Sequence, residues 1–243
     1  MAGNVHDGHR ERLRRRVANE SLDYFEPHEV LELLLYYVVR QGDTNALAHK
    51  LINKFGSFAK VLDANRAKLE EVDGVGESIS FFLNVIPQIC RRYMLSRSKD
   101  RLSGAVMSSD HAHEILAPYF IGRTVEMLYL LCLNGLGEPI DCVYISEGSA
   151  NATSINIRKI VQVVIETNAT AVVLCHNHPD GIARPSQQDI MLTKNLSAVL
   201  EAMNVVLLDH LIIVDGDFVS FHDSDEKEDP DIGDMDNIFF DDL

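Results

Sequence analysis

Residues 169–189 read ATAVVLCHNHPDGIARPSQQD, and the fold turns on this stretch. ATAVVLC (169–175) is apolar on both alternations, as a strand buried on both faces must be, and it delivers His176-Asn177-His178-Pro179 at its end. Along an extended chain residues i and i+2 point to the same side, so both imidazoles can face one metal ion. Asp189 falls in the first turn of a helix beginning at Ser186, from which its carboxylate can swing back toward the strand end. Two histidines and one carboxylate leave a fourth position for water, the arrangement of a catalytic zinc rather than a structural one. Ser186-Gln187-Gln188-Asp189 also fits a plain capping box, and the histidines alone would fit a loop beside a proline. A strand-terminal HxH followed by a helix-start acid is a joint requirement, and it favours the metal.

Working outward, MLYLLCL (127–133) and PIDCVYI (139–145) flank Asn134-Gly135-Leu136-Gly137 and predict two strands joined by a hairpin loop. IRKIVQVVIE (157–166) and SQQDIMLTKNLSAVLEAM (186–203) carry helical periodicity. VVLLDHLIIV (205–214) and FVSF (218–221) predict two more strands around Asp215-Gly216-Asp217. Strands alternating with helices give an α/β (α+β) domain over 105–222, a mixed sheet flanked by helices. His210, beside Asp209 within an apolar strand, reads as a buried imidazole that needs a partner and would orient a metal ligand. His111-Ala112-His113 imitates the HxH spacing, but it follows Ser108-Ser109-Asp110 at a helix start with no strand to fix it, and it is not read as a ligand pair.

Upstream, residues 27–95 read as helices, with Asp73-Gly74-Val75-Gly76 between RAKLEEV and SISFFLNVIPQICRRYM. Helix, Gly-x-Gly turn and helix describe a helix-hairpin-helix over 22–95, in which backbone N–H groups near Gly74, Val75 and Gly76 approach a phosphate. The rival reading is an ordinary turn that uses glycine for its φ freedom. Residues 1–21 read as a basic arm whose arginines at 10–16 are a solvated face or a phosphate grip, and 96–104 (SRSKDRLSG) as a linker. Residues 223–243, acidic with Pro and Gly, are expected to be a disordered tail; its Ile238-Phe239-Phe240 is more simply a solvated end than a docking motif.

Charge divides along the same boundaries. Residues 1–104 carry 16 Lys and Arg against 14 Asp and Glu, residues 105–222 carry 5 against 13, and the tail 1 against 10, within a net charge of −15. Phosphate contacts demand local positive charge, so non-specific DNA binding is expected only from residues 1–104. No apolar run reaches the roughly 18 residues needed to cross a bilayer, and the first residues lack the apolar middle of a secretory signal, so a cytoplasmic protein with no membrane partner is expected. Cys90, Cys132, Cys142 and Cys175 lie far apart without a CxxC pair, which predicts buried thiols rather than disulfides or a cysteine zinc site.

His176-x-His178-Pro179 followed by Ser186-x-x-Asp189 resembles the core motif of the JAMM (JAB/MPN) zinc metalloproteases. The longer pattern HNHPDG, PSQQDIMLT, Leu208-Asp209-His210 and Glu147-Gly148-x-x-Asn151 is similar to the RadC family in particular, and ELLLYY, GDTNALAHKL, FGSF and VDGVGES resemble that family's N-terminal helix-hairpin-helix domain. The resemblance implies a cytidine-deaminase-like architecture, Zn2+ on His176, His178 and Asp189, support of a tetrahedral intermediate by Ser186, and hydrolysis of an amide or isopeptide bond in an unknown protein or peptide substrate. It also implies a glutamate on an earlier strand as general base.

The resemblance places that glutamate five residues before the glycine matching Gly148, a position held here by Val143, which cannot shuttle a proton. An impaired hydrolase is therefore expected, with Asp141 (a shorter arm, two residues back) or Glu147 as poorly placed substitutes: Glu147 is four residues on, about 13 Å along an ideal strand, unless a bulge re-aims it. The alternative is a catalytically silent, zinc-stabilised domain that binds DNA or protein. A nucleobase deaminase is disfavoured because its HxE and PCxxC pattern is absent.

Overall fold

A computed structural model describes residues 8–98, 104–148, 153–179, 181, 184–214 and 217–225. The chain divides into two compact units, Met1–Cys90 and Arg91–Leu243.

In the first unit α1 (His9–Asn19), α2 (Pro27–Leu35), α3 (Thr44–Phe55), α4 (Phe58–Asp63) and α5 (Arg66–Glu70) precede α6 (Glu77–Ser98), a long helix whose residues from Arg91 onward belong to the other unit. Side-chain caps open three of them: Asp43 accepts from Ala46 N–H, Ser57 from Lys60 N–H and Asn65 from Lys68 N–H. Leu31, Leu35, Leu51, Leu69 and Leu83 are wholly buried at the centre of this bundle. The basic arm differs from expectation, because residues 9–19 form a helix. Leu13 packs with Phe25 and Tyr36, flanked by the partly buried Val17, so a narrow apolar stripe seats this arginine-rich helix.

α1 is also tied down by Glu32, whose side chain is 2% exposed. Its carboxylate accepts from Tyr36 Oη (2.7 Å), Asn45 Nδ2 (2.9 Å) and Thr44 Oγ1 (3.4 Å), and His9 Nε2 lies 3.1 Å away. Burial alone would raise this carboxyl, but the bonds from Asn45, Tyr36 and His9 outweigh it and hold the group below its ordinary range.

The second unit is a five-stranded sheet in the order β2-β1-β3-β4-β5. β1 (Met127–Leu133) pairs antiparallel with both β2 (Pro139–Glu147) and β3 (Ala171–Asn177). β3 runs parallel to β4 (Val206–Val214), and β5 (Asp217–Ser220) closes the edge antiparallel to β4. Met127, Tyr129, Leu131, Val173 and Cys175 face one layer, covered by α7 (Ser109–Leu116). Leu128, Leu130, Val172 and Leu174 face the other, covered by α8 (Thr153–Thr167) and α9 (Gln187–Glu201). Burial on both faces is why β1 and β3 read as continuous apolar runs. The mixed sheet with flanking helices and a helical N-terminal region is the expected fold class.

The boundaries differ in detail. α6 continues through 96–98 of the expected linker, and residues 99–103 lie outside the described residues. α10 (Phe221–Asp225) occupies the start of the expected tail, whose residues 226–243 are likewise outside them. Cys132 and Cys175 are buried free thiols and Cys142 is partly buried, whereas Cys90 is exposed on α6.

Candidate metal centre

β3 ends at Asn177, so His176 leaves the sheet on the α8/α9 face and His178 follows at the strand's exit. His178 is held there by its backbone N–H, which donates to the Ile213 carbonyl of β4 at 3.0 Å. The Nε2 atoms of His176 and His178 lie 2.9 Å apart. Asp189 Oδ1 lies 3.3 Å from His176 Nε2 and Oδ2 3.5 Å from His178 Nε2. Among the described residues this is the one group of three such side chains whose donor atoms all converge within 4.8 Å. A tetrahedral zinc with ligand bonds of about 2.0–2.1 Å spans donor separations of about 3.3 Å, so two imidazole nitrogens and a carboxylate at these distances fit the ion closely.

The capping box forms and serves the same site. Ser186 Oγ accepts from Asp189 N–H at 3.2 Å, while Ser186 N–H (2.8 Å) and Oγ–H (2.6 Å) both donate to Asp189 Oδ2. Burial would raise the Asp189 carboxyl, but the adjacent His176 and the two bonds from Ser186 hold it far below the ordinary carboxylate range. Asp189 is thus 3% exposed yet ionised, and one of its oxygens remains turned toward the imidazoles. Ser186 itself is exposed at the mouth of the site.

The β1–β2 register decides which acids are near. Leu128 pairs with both His176 and Ser146, and Met127 pairs with Glu147. A bulge between the Leu128 and Tyr129 pairs inserts one extra residue in β2, so Leu130 pairs with Val143. Lys159 Nζ donates to the Ile145 carbonyl within the bulge at 2.6 Å. The inserted residue reverses the alternation: Ser146 rather than Glu147 shares the row of His176, and Glu147 shares the row of Met127, which faces α7. Val143 packs against the apolar cluster beneath α8 and α9. Asp141 pairs with Cys132, four residues along β1 from Leu128, or about 13 Å.

Sequence reasoning passed over Glu126, the half-buried residue that immediately precedes β1. It has the strand parity of Leu128, and continuing the β1–β3 register by two residues sets it against His178. Asn177, between the two histidines, clamps the backbone on either side of it: Oδ1 accepts from Met127 N–H at 2.8 Å and Nδ2 donates to the Val125 carbonyl at 3.1 Å. The signal available in the sequence was an acid directly abutting the most apolar strand.

In the helical unit Gly74 adopts φ +98°, the left-handed region that glycine favours, and Val75 is buried in the bundle core. The cations around this turn are taken up by acids: Lys50 with Asp73 (2.9 Å), Lys54 with Glu71 (2.9 Å) and Arg66 with Glu77 (3.4 Å). His113 stacks on Phe218 and does not join His111 in a metal group. No helix among the described residues is long and apolar enough to cross a membrane.

Residues 106–227 match the family model for the RadC-like JAB domain. The chain is 32% identical over 226 residues to a UPF0758 protein of Fusobacterium nucleatum subsp. nucleatum, a match covering 91% of this chain and 97% of that relative. With the sheet, the converging His176, His178 and Asp189 and these similarities in hand, the chain belongs to the RadC-like JAB domain family.

Proposed function

We propose that the protein is a zinc metallohydrolase that cleaves an amide or isopeptide bond, with the metal held by His176, His178 and Asp189. The observation that carries this reading is the convergence of three metal-type donors at the exit of β3, and Glu126 is assigned as the base because extending the β1–β3 register sets it against His178. A bound zinc would supply Lewis acidity and bring the pKa of a water to about 7. Glu126, held in place by the Asn177 clamp, receives the proton of the attacking water and passes it to the leaving amine, help worth roughly 10²–10⁴ in rate. Ser186 Oγ–H, which donates to Asp189 Oδ2 in the resting site, turns to the oxygen that gains charge as the carbonyl becomes tetrahedral, while the Ser186 backbone N–H keeps hold of Oδ2. Glu147 lies on the other row and Val143 packs against the core beneath, so this reading gives neither a part in the chemistry.

Hydrolysis of fluorogenic peptides and of lysine-isopeptide substrates by the zinc-loaded full chain tests the proposal. Turnover that disappears in His178→Ala and in Glu126→Gln is expected. Zinc uptake with no turnover on any of them would favour the silent binding domain instead.

A further inference from the structure

Three buried side chains form a chain of contacts behind His176. His176 Nδ1 lies 2.8 Å from His210 Nε2, His210 Nδ1 lies 2.6 Å from Thr193 Oγ1, and Thr193 Oγ1 lies 2.7 Å from the Asp189 carbonyl oxygen. His210 is wholly buried on β4, stacked on Phe221 at 4.7 Å, and Thr193 is 3% exposed on α9. The chain starts on one metal-type ligand and ends on the backbone of another, four residues before Thr193 on α9.

The direction of every proton in it follows from what each atom can do. A carbonyl oxygen only accepts, so the Thr193 hydroxyl gives its single proton to Asp189. The 2.6 Å contact to His210 must then be filled by the His210 Nδ1–H donating to the threonine oxygen. No carboxylate oxygen among the described residues is in hydrogen-bond contact with the His210 ring, so the buried imidazole carries one N–H, and Nε2 presents a lone pair. That lone pair accepts from His176 Nδ1–H, which leaves Nε2 as the His176 nitrogen that faces His178 and Asp189. Reversing any one bond would leave two lone pairs or two protons face to face.

We infer that Thr193 and His210 are positioning residues: together they fix His176 in the Nδ1–H form and so reserve its Nε2 for a metal ion. The inference rests on the metal reading above for its purpose, but the hydrogen-bond directions stand without it. The orientation and basicity of a ligating imidazole are set by the partner of its other nitrogen, and loss of such a partner typically costs 10–100-fold in metal affinity.

The test has two arms on the full chain. Long-range 1H–15N spectra of the metal-free protein read the histidine tautomers, and zinc affinity is measured by competition with a chromophoric chelator. In wild type, His210 and His176 are both expected as Nδ1–H. Thr193→Val, nearly isosteric, should release His210 from that form and weaken zinc binding about 10–100-fold, whereas Thr193→Ser should restore both readings. An Nε2–H His210 in wild type, or zinc affinity in a folded Thr193→Val protein within twofold of wild type, overturns the inference. Nδ1–H on both rings in a protein that takes up no zinc would leave the hydrogen-bond assignment standing and sink the metal reading instead.

Discussion

The Met127 backbone N–H donates to the Asn177 side-chain oxygen at 2.8 Å, so the residue between the two histidines of the site also holds the start of β1. Asn177 does with a side chain what one more residue pair of the ladder would do, and Glu126 is fixed between its two contacts.

Glu126→Gln should therefore abolish hydrolysis, a fall of about 10²–10⁴, while zinc content stays at the wild-type level. Val143→Glu should give no gain, because it sets a carboxylate against the core beneath α8 and α9 at a cost of a few kcal/mol. Turnover and metal analysis on the same preparations decide the matter. A Val143→Glu variant that outpaces wild type would restore Val143 as the defect.

One zinc per chain is expected. Elemental analysis of wild type and of His178→Ala and Asp189→Ala variants is the check, and equal zinc in all three would remove the site from consideration. Affinity should fall as pH is lowered, because protons compete for the same imidazole lone pairs.

Ser186→Ala removes an N-cap and a donor to Asp189 in one step. A loss of about 1 kcal/mol in unfolding free energy is expected from the cap, read by urea titration. Zinc affinity should drop by about tenfold, since an oriented ligand loses its support. Unchanged affinity would mean that Asp189 is positioned by α9 alone.

Glu32 should make the helical unit acid-sensitive. Its folded-state carboxyl lies below the ordinary glutamate range, so its stabilisation is fully present above that range and is lost as pH falls through the lowered folded value. Glu32→Gln should cost about 1–3 kcal/mol at pH 7 and flatten stability against pH in the acid range. Parallel unfolding curves for the two proteins across that range would count against this role.

Non-specific duplex DNA binding is proposed for residues 1–104, and it should be weak and lost with salt. Around Gly74 the cations are already paired with acids, so Asp73→Asn, which frees Lys50, should tighten binding of a labelled duplex. If anisotropy shows no change in Asp73→Asn but a loss in Arg14→Ala, contact runs along α1 instead of the turn.

The metal-type ligands were legible in the sequence because strand parity and a helix cap are local: His176, His178 and Asp189 lie within 14 residues of one another. The strands of the sheet were legible because two-faced burial leaves runs such as MLYLLCL unbroken by polar residues. Glu126 was not, because its position depends on the β1–β3 register, which joins residues far apart in the chain, such as Leu128 and His176. Glu147 seemed to share a face with Val143 until the bulge shifted the alternation, and a bulge leaves no composition signal in PIDCVYISE. α1 escaped notice because one buried leucine anchors it, too sparse a stripe to stand out among five arginines.

The shared oxygen between Ser186 and Asp189 makes the beginning of α9 an indicator of occupancy. An ion that draws Asp189 toward the histidines pulls on the same carboxylate that closes the helix end, so capture of metal and fraying of that turn are thermodynamically linked. Amide exchange at the first turn of α9 should then differ between loaded and stripped protein while the rest of the helix stays unchanged, giving a readout of the site that needs neither a substrate nor a chromophore.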